Sequence, residues 1–304
     1  MLSAGLIWGS QYLLNKIALE HFSTLFIAAG RVGIGAFFLS LLLFLGVERS
    51  RKHLRFSSLI KNFPNLIIIG FLEATLPCIL VPWAQERLPS SIVAILIGTV
   101  PFFTTLLDIF LLKRHQLSFR KKSALLLGFA GIIVLMGPDF LYWAHLPSSL
   151  TLFFPMIAVL TSAFSFALSM ILIQERLSTY LSEVGPIEST RGILLGALVT
   201  TLPLMWVTEK SYCSPWENVF SQLYPLMALL ALGIFCGGLA YTLFVILINR
   251  AGASFASTCN YLVPLIGTAL GVLVHGEKIS FALLSSLLLI LSSLWLSSDR
   301  GFRA

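Results

Sequence analysis

Long apolar runs separated by short polar segments occupy the chain from end to end. A helix that crosses a bilayer needs about 20 mainly apolar residues. Ten segments meet or approach this length, and each predicts a transmembrane helix. Their approximate bounds are 3–19, 24–46, 65–84, 90–112, 123–141, 152–174, 185–208, 222–248, 253–274 and 280–297. The first is short and carries polar residues, so hydropathy supports it least. No connecting segment is long enough to hold a soluble domain.

Composition points to the same class of protein. Of the 304 residues, 57% are hydrophobic and 11% are charged, whereas a soluble domain carries about 25% charged residues. Contact with hydrocarbon removes the need for a charged surface. The N-terminal segment lacks a basic stretch and a small-residue cleavage site, so the first span is expected to belong to the mature protein.

Basic residues are distributed unevenly among the loops. If the N-terminus is cytoplasmic, fourteen of the 20 lysines and arginines lie in inner loops or at the C-terminal tail, and the outer loops hold Arg87, Lys210 and Lys278. Because cytoplasmic loops are enriched in basic residues, both termini are expected in the cytoplasm. The net charge of +7 is then a topology signal, and no nucleic acid is expected as a partner.

An internal repeat emerges when the chain is compared with itself at an offset of 163 residues. The offset aligns five identical pairs without a gap: Gly70 with Gly233, Arg87 with Arg250, Ser91 with Ser254, Pro101 with Pro264 and Thr105 with Thr268. Each half then holds five helices. Because five is odd, the second half enters the membrane in the opposite orientation. Inverted repeats are typical of secondary transporters, whose substrate site lies near the bilayer midplane.

Several short motifs recur in a characteristic order along the chain. They are Ile7-Trp8-Gly9-Ser10, Asn15-Lys16-Ile17-Ala18-Leu19, Ala29-Gly30-Arg31, the stretch from Pro82 to Ser91, Val100-Pro101-Phe102-Phe103-Thr104, Leu239-Ala240-Tyr241, Val263-Pro264-Leu265 and Gly276-Glu277. In order and spacing they resemble the EamA-type family of the drug/metabolite transporter superfamily, over nearly the whole chain. One departure is Arg114, where the family often has a glutamate at the end of the fourth helix.

The resemblance implies an all-α membrane protein with ten transmembrane helices in a 5+5 inverted repeat and both termini in the cytoplasm. Residues 1–141 would form the first five-helix repeat and residues 152–297 the second. The first, third, fourth, sixth, eighth and ninth helices would surround a central cavity, with the fifth and tenth at the periphery. The expected location is a bacterial inner membrane.

Polar side chains inside the predicted spans are candidates for a substrate site. On the first span Trp8, Gln11 and Asn15 share one helical face. Tyr241 and Asn260 lie on spans that the resemblance places at the cavity. Aromatic rings with a few amides suit a zwitterionic or amphipathic solute. Trp and Tyr also serve as anchors at the membrane interface, so this second interpretation of Trp8 and Tyr241 stays open.

Charges inside the spans are costly and need an explanation. Glu73, near the middle of the third span, either holds a substrate amine or a coupling proton, or is a hydrogen-bonded acid at a helix interface. Lys16, Arg31 and the pair Glu188 and Arg191 are interpreted as structural charges that tie helices together. In the alternative interpretation, Arg31 and Lys16 recognise an anionic group of the substrate.

Pro101 and Pro264 stand at matching positions inside their spans. Proline removes a backbone hydrogen bond and kinks a helix. A symmetric pair of kinks predicts a pivot, or a gate beside the cavity, in each half.

These features favour a secondary-active carrier of a small organic metabolite, preferably an amino acid or amino-acid derivative, working by alternating access around a midplane cavity. Its expected partners are the substrate, the lipid bilayer and, as one option, protons as the coupling ion; the oligomeric state stays open. A carrier of nucleotide-type metabolites or drugs is the alternative. An intramembrane enzyme is disfavoured because the histidines fall in loops or at helix ends. No cofactor, metal or ATP-binding loop is expected.

Overall fold

The computed structural model describes residues 1–48, 52–112, 119–144, 149–209, 223–275 and 281–297. Throughout these ranges the chain is helical with short connections, and the same ranges contain no strand. The predicted all-α class is confirmed. Arg114, Lys210, Glu277 and Lys278, which the sequence analysis named, lie outside the described residues.

The helices up to residue 144 are α1 (Leu2–Leu19), α2 (Thr24–Phe44), α3 (Lys52–Gly70), α4 (Leu76–Gln85), α5 (Ser90–Ile97), α6 (Val100–Leu112) and α7 (Phe119–Ala144). A π-helical turn, Phe71–Thr75, joins α3 to α4 without interrupting the helical course. Only Gly98 and Thr99 separate α5 from α6. Each of these two helix pairs therefore forms one long segment with an irregular point inside it.

The later helices are α8 (Ser149–Arg176), α9 (Ser178–Val184), α10 (Pro186–Glu209), α11 (Leu223–Ala231), α12 (Ala240–Ala251), α13 (Ala253–Ser257), α14 (Leu262–His275) and α15 (Phe281–Ser297). A second π-helical segment, Leu232–Leu239, joins α11 to α12. A 3₁₀ turn, Thr258–Tyr261, joins α13 to α14.

Seven helical segments within the described ranges are long and apolar enough to cross a membrane. They are Thr24–Phe44, Leu59–Gln85, Ser90–Leu111, Phe153–Arg176, Pro186–Val207, Leu223–Ala251 and Ala253–Val274. The other three predicted spans fall on α1, α7 and α15, which are helical but outside this set. The 18 residues of α1 include polar groups, and the apolar stretches described in α7 and α15, Lys122–Gly131 and Leu284–Ser293, are shorter.

Two of the described helix-to-helix connections in the second half depend on glycine. Gly185 and Gly252 have φ angles of +89° and +83°, which side chains with a Cβ rarely adopt. Each is followed at once by a helix whose first N–H groups lack partners within the helix. Glu48 accepts from the Ile187 N–H at 2.7 Å, and Gln174 accepts from the Ala253 N–H at 2.6 Å. Side chains from distant helices therefore cap α10 and α13.

Several helices pack closely against each other around the centre of the molecule. α10 packs against α2 and α3, α1 against α14, and α8 against α4 and α6, while α7 and α15 pack together. Glycine permits the closest of these contacts: Gly70 faces the backbone of α10, and Gly196 faces the backbone of Leu66 on α3. Small residues at helix crossings are typical of membrane bundles.

Candidate substrate site

A central cavity lies among the helices, with about 420 Å³ of space free of protein atoms that is partly open to solvent. Side chains from α1, α2, α4, α5, α8, α12 and the 3₁₀ turn line it: Trp8, Gln11, Arg31, Pro77, Cys78, Val81, Ile97, Ser162, Phe166, Tyr241 and Asn260. The structure thus brings together Trp8, Gln11, Tyr241 and Asn260 of the predicted substrate-binding set. It adds Arg31, which the first interpretation treated as structural.

Aromatic rings pack along one side of the cavity around Trp8; Trp8, Phe166 and Tyr241 line the cavity, and Phe244 packs against Trp8 without lining it. Its indole meets Phe166, Tyr241 and Phe244 edge to face, with ring centroids 5.5, 5.4 and 4.7 Å away. The Phe166 and Phe244 rings stack at 5.4 Å. The indole N–H donates to the Cys236 carbonyl at 3.2 Å. These four rings, called the aromatic wall below, fix the indole between α1, α8 and α12.

Arg31 enters the cavity from α2 with only 5% of its surface exposed. Its Nη1 donates to Gln11 Oε1 at 2.8 Å, and its Cζ lies 6.0 Å from the centre of the Tyr241 ring. Its Nε has no hydrogen-bond partner in the described part of the chain. No ion pair of Arg31 with a described carboxylate is present either.

Glu73 lies in the first π-helical turn and is 1% exposed. The Ser169 hydroxyl donates to its Oε2, and the Tyr241 hydroxyl donates to its backbone carbonyl at 2.9 Å. Its Oε1 has no partner among the described residues. Glu73 does not line the cavity. Tyr241 belongs to the aromatic wall and binds the backbone of Glu73. Glu73 therefore lies next to the aromatic wall and not in the open space of the cavity.

Asn15 is buried away from the cavity. Its Nδ2 donates to Gln85 Oε1 at 2.9 Å, and Gln85 in turn donates to the Tyr12 carbonyl at 3.0 Å and to Ser90 Oγ at 3.1 Å. These bonds connect α1 to α4 and to the start of α5. Gln85 belongs to the motif from Pro82 to Ser91, but its position in the sequence did not predict that it would bind Asn15.

The remaining predicted charges lie apart from the cavity. Glu188 and Arg191 form a 2.6 Å ion pair along α10, with side-chain exposures of 0% and 25%. Lys16 follows Asn15 on α1 and is not among the lining residues.

Pro101 and Pro264 each follow a break in helical geometry. Pro101 is the second residue of α6, just after the Gly98–Thr99 interruption, and Pro264 is the third residue of α14, just after the 3₁₀ turn. The two breaks lie side by side, since a Cβ added at Gly98 would be 3.0 Å from Pro264 Cγ.

Sequence reasoning missed several lining residues, and one signal was available. Ser162, Phe166 and Ser169 are spaced at i, i+4 and i+7 on α8, which places them on one helical face. Two of them line the cavity and the third holds Glu73. Nothing in the apolar sequence around Cys78 or Phe244 marked their positions.

The helical fold, with its long apolar spans around a cavity, defines a polytopic membrane protein. The profile of the EamA-like transporter family matches residues 1–137 and 153–299. The chain therefore belongs to this family, and it is a multi-pass protein of the bacterial inner membrane.

Three curated relatives illustrate the family. The uncharacterized transporter YvbV of Bacillus subtilis is 25% identical, covering 97% of this chain and 89% of its own length. The uncharacterized inner membrane transporter YedA of Escherichia coli K12 is 25% identical over 90% and 81%. An S-adenosylmethionine/S-adenosylhomocysteine transporter of Chlamydia muridarum is 27% identical over 90% and 82%.

The fold has a counterpart among crystal structures. One such chain aligns with a TM-score of 0.70 and 18% sequence identity, covering 97% of this chain and 94% of that one. The two chains share a fold.

Proposed function

We propose that the protein is a secondary-active carrier that moves a small organic metabolite by alternating access, with an amino acid or amino-acid derivative as the favoured substrate. The observation that carries this proposal is the central cavity, where a guanidinium, two amides and aromatic rings converge: Arg31, Gln11, Asn260, Trp8, Phe166 and Tyr241. Polar groups at fixed positions orient a ligand, and apolar rings bury its body.

The architecture proposed for this carrier has ten transmembrane helices in a 5+5 inverted repeat, with both termini in the cytoplasm. Local irregularities support it, because they recur at the offset of 163 residues. The π-helical turn Phe71–Thr75 corresponds to residues 234–238, inside the second π-helical segment. The break before Pro101 corresponds to the end of the 3₁₀ turn before Pro264. The family profile also matches the chain twice, once in each half.

The irregular points suit alternating access, in which one half rocks against the other around the site. The helix breaks before Pro101 and Pro264 contact each other. A change in the bend of the helix at one break would therefore displace the other. They are proposed as the pivots of this motion. π-helical turns are frequent at functional sites, and both of them here contact the aromatic wall.

The substrate class follows from the balance of groups in the cavity. A solute with several phosphates requires more than one cation, and Arg31 is the one cationic side chain among the described lining residues. The Chlamydia relative is named for S-adenosylmethionine and S-adenosylhomocysteine. These molecules combine an amino-acid group with an adenosine, which matches a guanidinium beside an aromatic wall. They are the first nucleoside-linked substrates to test beside simple amino acids.

Glu73 is proposed to carry the coupling proton. A buried acid with one oxygen lacking a partner among the described residues is expensive to ionise in a bilayer. Its backbone contact with Tyr241 connects it to the cavity wall. Protonation and deprotonation would then accompany the change between the two orientations of the cavity.

Counterflow in proteoliposomes tests the function directly. Vesicles preloaded with an unlabelled amino acid or S-adenosylmethionine are diluted into the same labelled compound. A carrier produces a transient accumulation of label that empty liposomes lack. The same compound is expected to raise the melting temperature of the detergent-solubilised protein with concentration. Absence of counterflow across the twenty amino acids, S-adenosylmethionine and S-adenosylhomocysteine, with folded protein, would contradict the proposed substrate class.

A further inference from the structure

Two buried or half-buried arginines lie inside the helices, and their surroundings differ. Arg191 on α10 has an acid, Glu188, at 2.6 Å. Arg31 on α2 is more deeply buried and has no acid within ion-pair distance among the described residues. A guanidinium buried without a counter-charge is strongly unfavourable. Arg191 therefore has a sufficient structural explanation in its ion pair, and Arg31 does not.

Most N–H donors of the Arg31 guanidinium have no hydrogen-bond partner among the described residues. A guanidinium carries five N–H donors in a planar fork. One of them binds Gln11 Oε1, and the Nε proton binds none of the described residues. The Tyr241 ring lies 6.0 Å away, at the outer limit of a cation–π contact. The guanidinium thus lines the cavity with one Nη1 proton bound to Gln11, while its buried Nε has no partner among the described residues.

The carboxyl of Glu73, whose backbone binds Tyr241 of the cavity wall, does not pair with Arg31. The carboxyl of Glu73 binds Ser169, and the link to Tyr241 runs through the Glu73 backbone carbonyl. The other polar groups lining the cavity are neutral amides, hydroxyls and a thiol: Gln11, Asn260, Ser162, Tyr241 and Cys78. The described lining therefore carries one positive charge and no negative charge.

We propose that Arg31, held in position by Gln11, is the subsite for a carboxylate of the substrate. A carboxylate matches the planar fork of a guanidinium and forms short, charge-assisted hydrogen bonds with it. The apolar part of the ligand then lies against the aromatic wall. The substrate class is accordingly an organic carboxylate with an apolar or aromatic body. This inference rests on the proposed carrier function, and Lys16 has no part in it.

A cysteine beside Arg31 allows a test that needs no transported substrate. Cys78 lines the same cavity. In a variant with Cys213, Cys236 and Cys259 replaced by alanine, Cys78 is left as the reporter. The detergent-solubilised protein is treated with an anionic reagent, sulfonatoethyl methanethiosulfonate, or a cationic one, trimethylammonioethyl methanethiosulfonate. The measured quantity is the ratio of the two rate constants, normalised to free cysteine.

The anionic reagent is expected to react faster by about fivefold, the effect of one unit charge a few ångström away in water. Arg31→Gln should abolish this preference, Arg31→Lys should keep it, and Arg191→Gln should leave it unchanged. A preference that survives Arg31→Gln would overturn the inference. So would a Cys78 that neither reagent modifies in folded protein, because dissolved anions then do not reach Arg31.

Ligand protection identifies the carboxylate as the recognised group. L-Phenylalanine is expected to slow modification of Cys78, and L-phenylalaninamide, which lacks the carboxylate, is expected to do so at least about tenfold less effectively, as for loss of a charge-assisted contact. Equal protection by both compounds, or by neither, would overturn the inference. Failure of the carrier function would instead appear as absent counterflow, which these measurements do not use.

Discussion

Tyr241 donates its hydroxyl to the backbone carbonyl of Glu73 at 2.9 Å. The bond joins α12, directly after the second π-helical segment, to the first π-helical turn. A π-helical turn disturbs the regular pattern of backbone bonding, so carbonyls in it are available to side chains. The same Tyr241 ring belongs to the aromatic wall. Tyr241 therefore links the first π-helical turn, and the helix that follows the second π-helical segment, to the cavity.

Replacing Tyr241 by phenylalanine keeps the ring and removes this bond. We expect a stability loss of about 1 kcal/mol, the typical net value of one hydrogen bond, together with slower counterflow. Thermal unfolding in detergent and initial counterflow rates measure the two effects. Tyr224→Phe is the matched control because Tyr224 is 83% exposed. Equal behaviour of the two variants would show that the Tyr241 bond contributes nothing.

Glu73→Gln preserves shape and still accepts a hydrogen bond from Ser169, but it cannot bind or release a proton. If Glu73 carries the coupling proton, uptake driven by an imposed pH gradient is lost while counterflow persists. Glu20→Gln, on the exposed turn after α1, is the control and should respond like the wild type. A normal pH-gradient response in the Glu73 variant would remove the proton-coupling proposal.

The contact between Asn15 and Gln85 should be structural rather than part of the substrate site. Single alanine variants at these positions are each expected to destabilise the protein. A double-mutant cycle should give a coupling energy of about 1 kcal/mol between the two side chains. Reversible unfolding in mixed detergent micelles supplies the free energies. Strictly additive effects would mean that the 2.9 Å bond does not contribute.

Gly70 and Gly33 provide a matched pair for helix packing. A Cβ at Gly70 would collide with the Ile193 carbonyl and the Ala197 nitrogen, which belong to the backbone of α10 and have little room to move. At Gly33 the nearest atom to such a Cβ is Leu198 Cδ2, in ordinary contact at 3.7 Å.

Gly70→Ala is therefore expected to lower stability by about 1–3 kcal/mol, as overpacking does, whereas Gly33→Ala should be nearly neutral. Melting temperatures in one detergent compare them directly. A tolerated alanine at Gly70 would show that α3 and α10 are not held as closely as described.

Much of the helical framework follows from apolar runs of sufficient length, since lipid leaves helices as the natural way to satisfy the backbone. Proline cannot donate a helical bond, so the sequence predicted kinks at Pro101 and Pro264; in the structure each proline lies in the first turn of a helix, just after an irregular turn. The π-helical turns at Phe71–Thr75 and Leu232–Leu239 were not predicted: Leu232–Leu239 is apolar like the helices around it, and the single acid in Phe71–Thr75, Glu73, does not indicate π-helical geometry.

The candidate site was predictable only in part. The shared face of α1 grouped Trp8 with Gln11, and both line the cavity, but it did not show that Asn15, one turn later, binds Gln85 of α4 instead. Which neighbour a helix meets at each turn depends on crossing geometry rather than on spacing. Arg31 carried a recognisable cost of burial, yet its lack of an acid partner among the described residues emerged only from the fold.

Counterflow by Trp8→Ala tests most directly whether this cavity is the substrate site. Trp8 anchors the aromatic wall, so its loss is expected to slow counterflow by about tenfold or more, equivalent to about 1.4 kcal/mol of lost stabilisation, and to abolish ligand-dependent thermal stabilisation. Trp295→Ala, on α15 and 65% exposed, should retain both. If folded Trp8→Ala protein transports the same compound at the wild-type rate, the central cavity is not where the substrate binds.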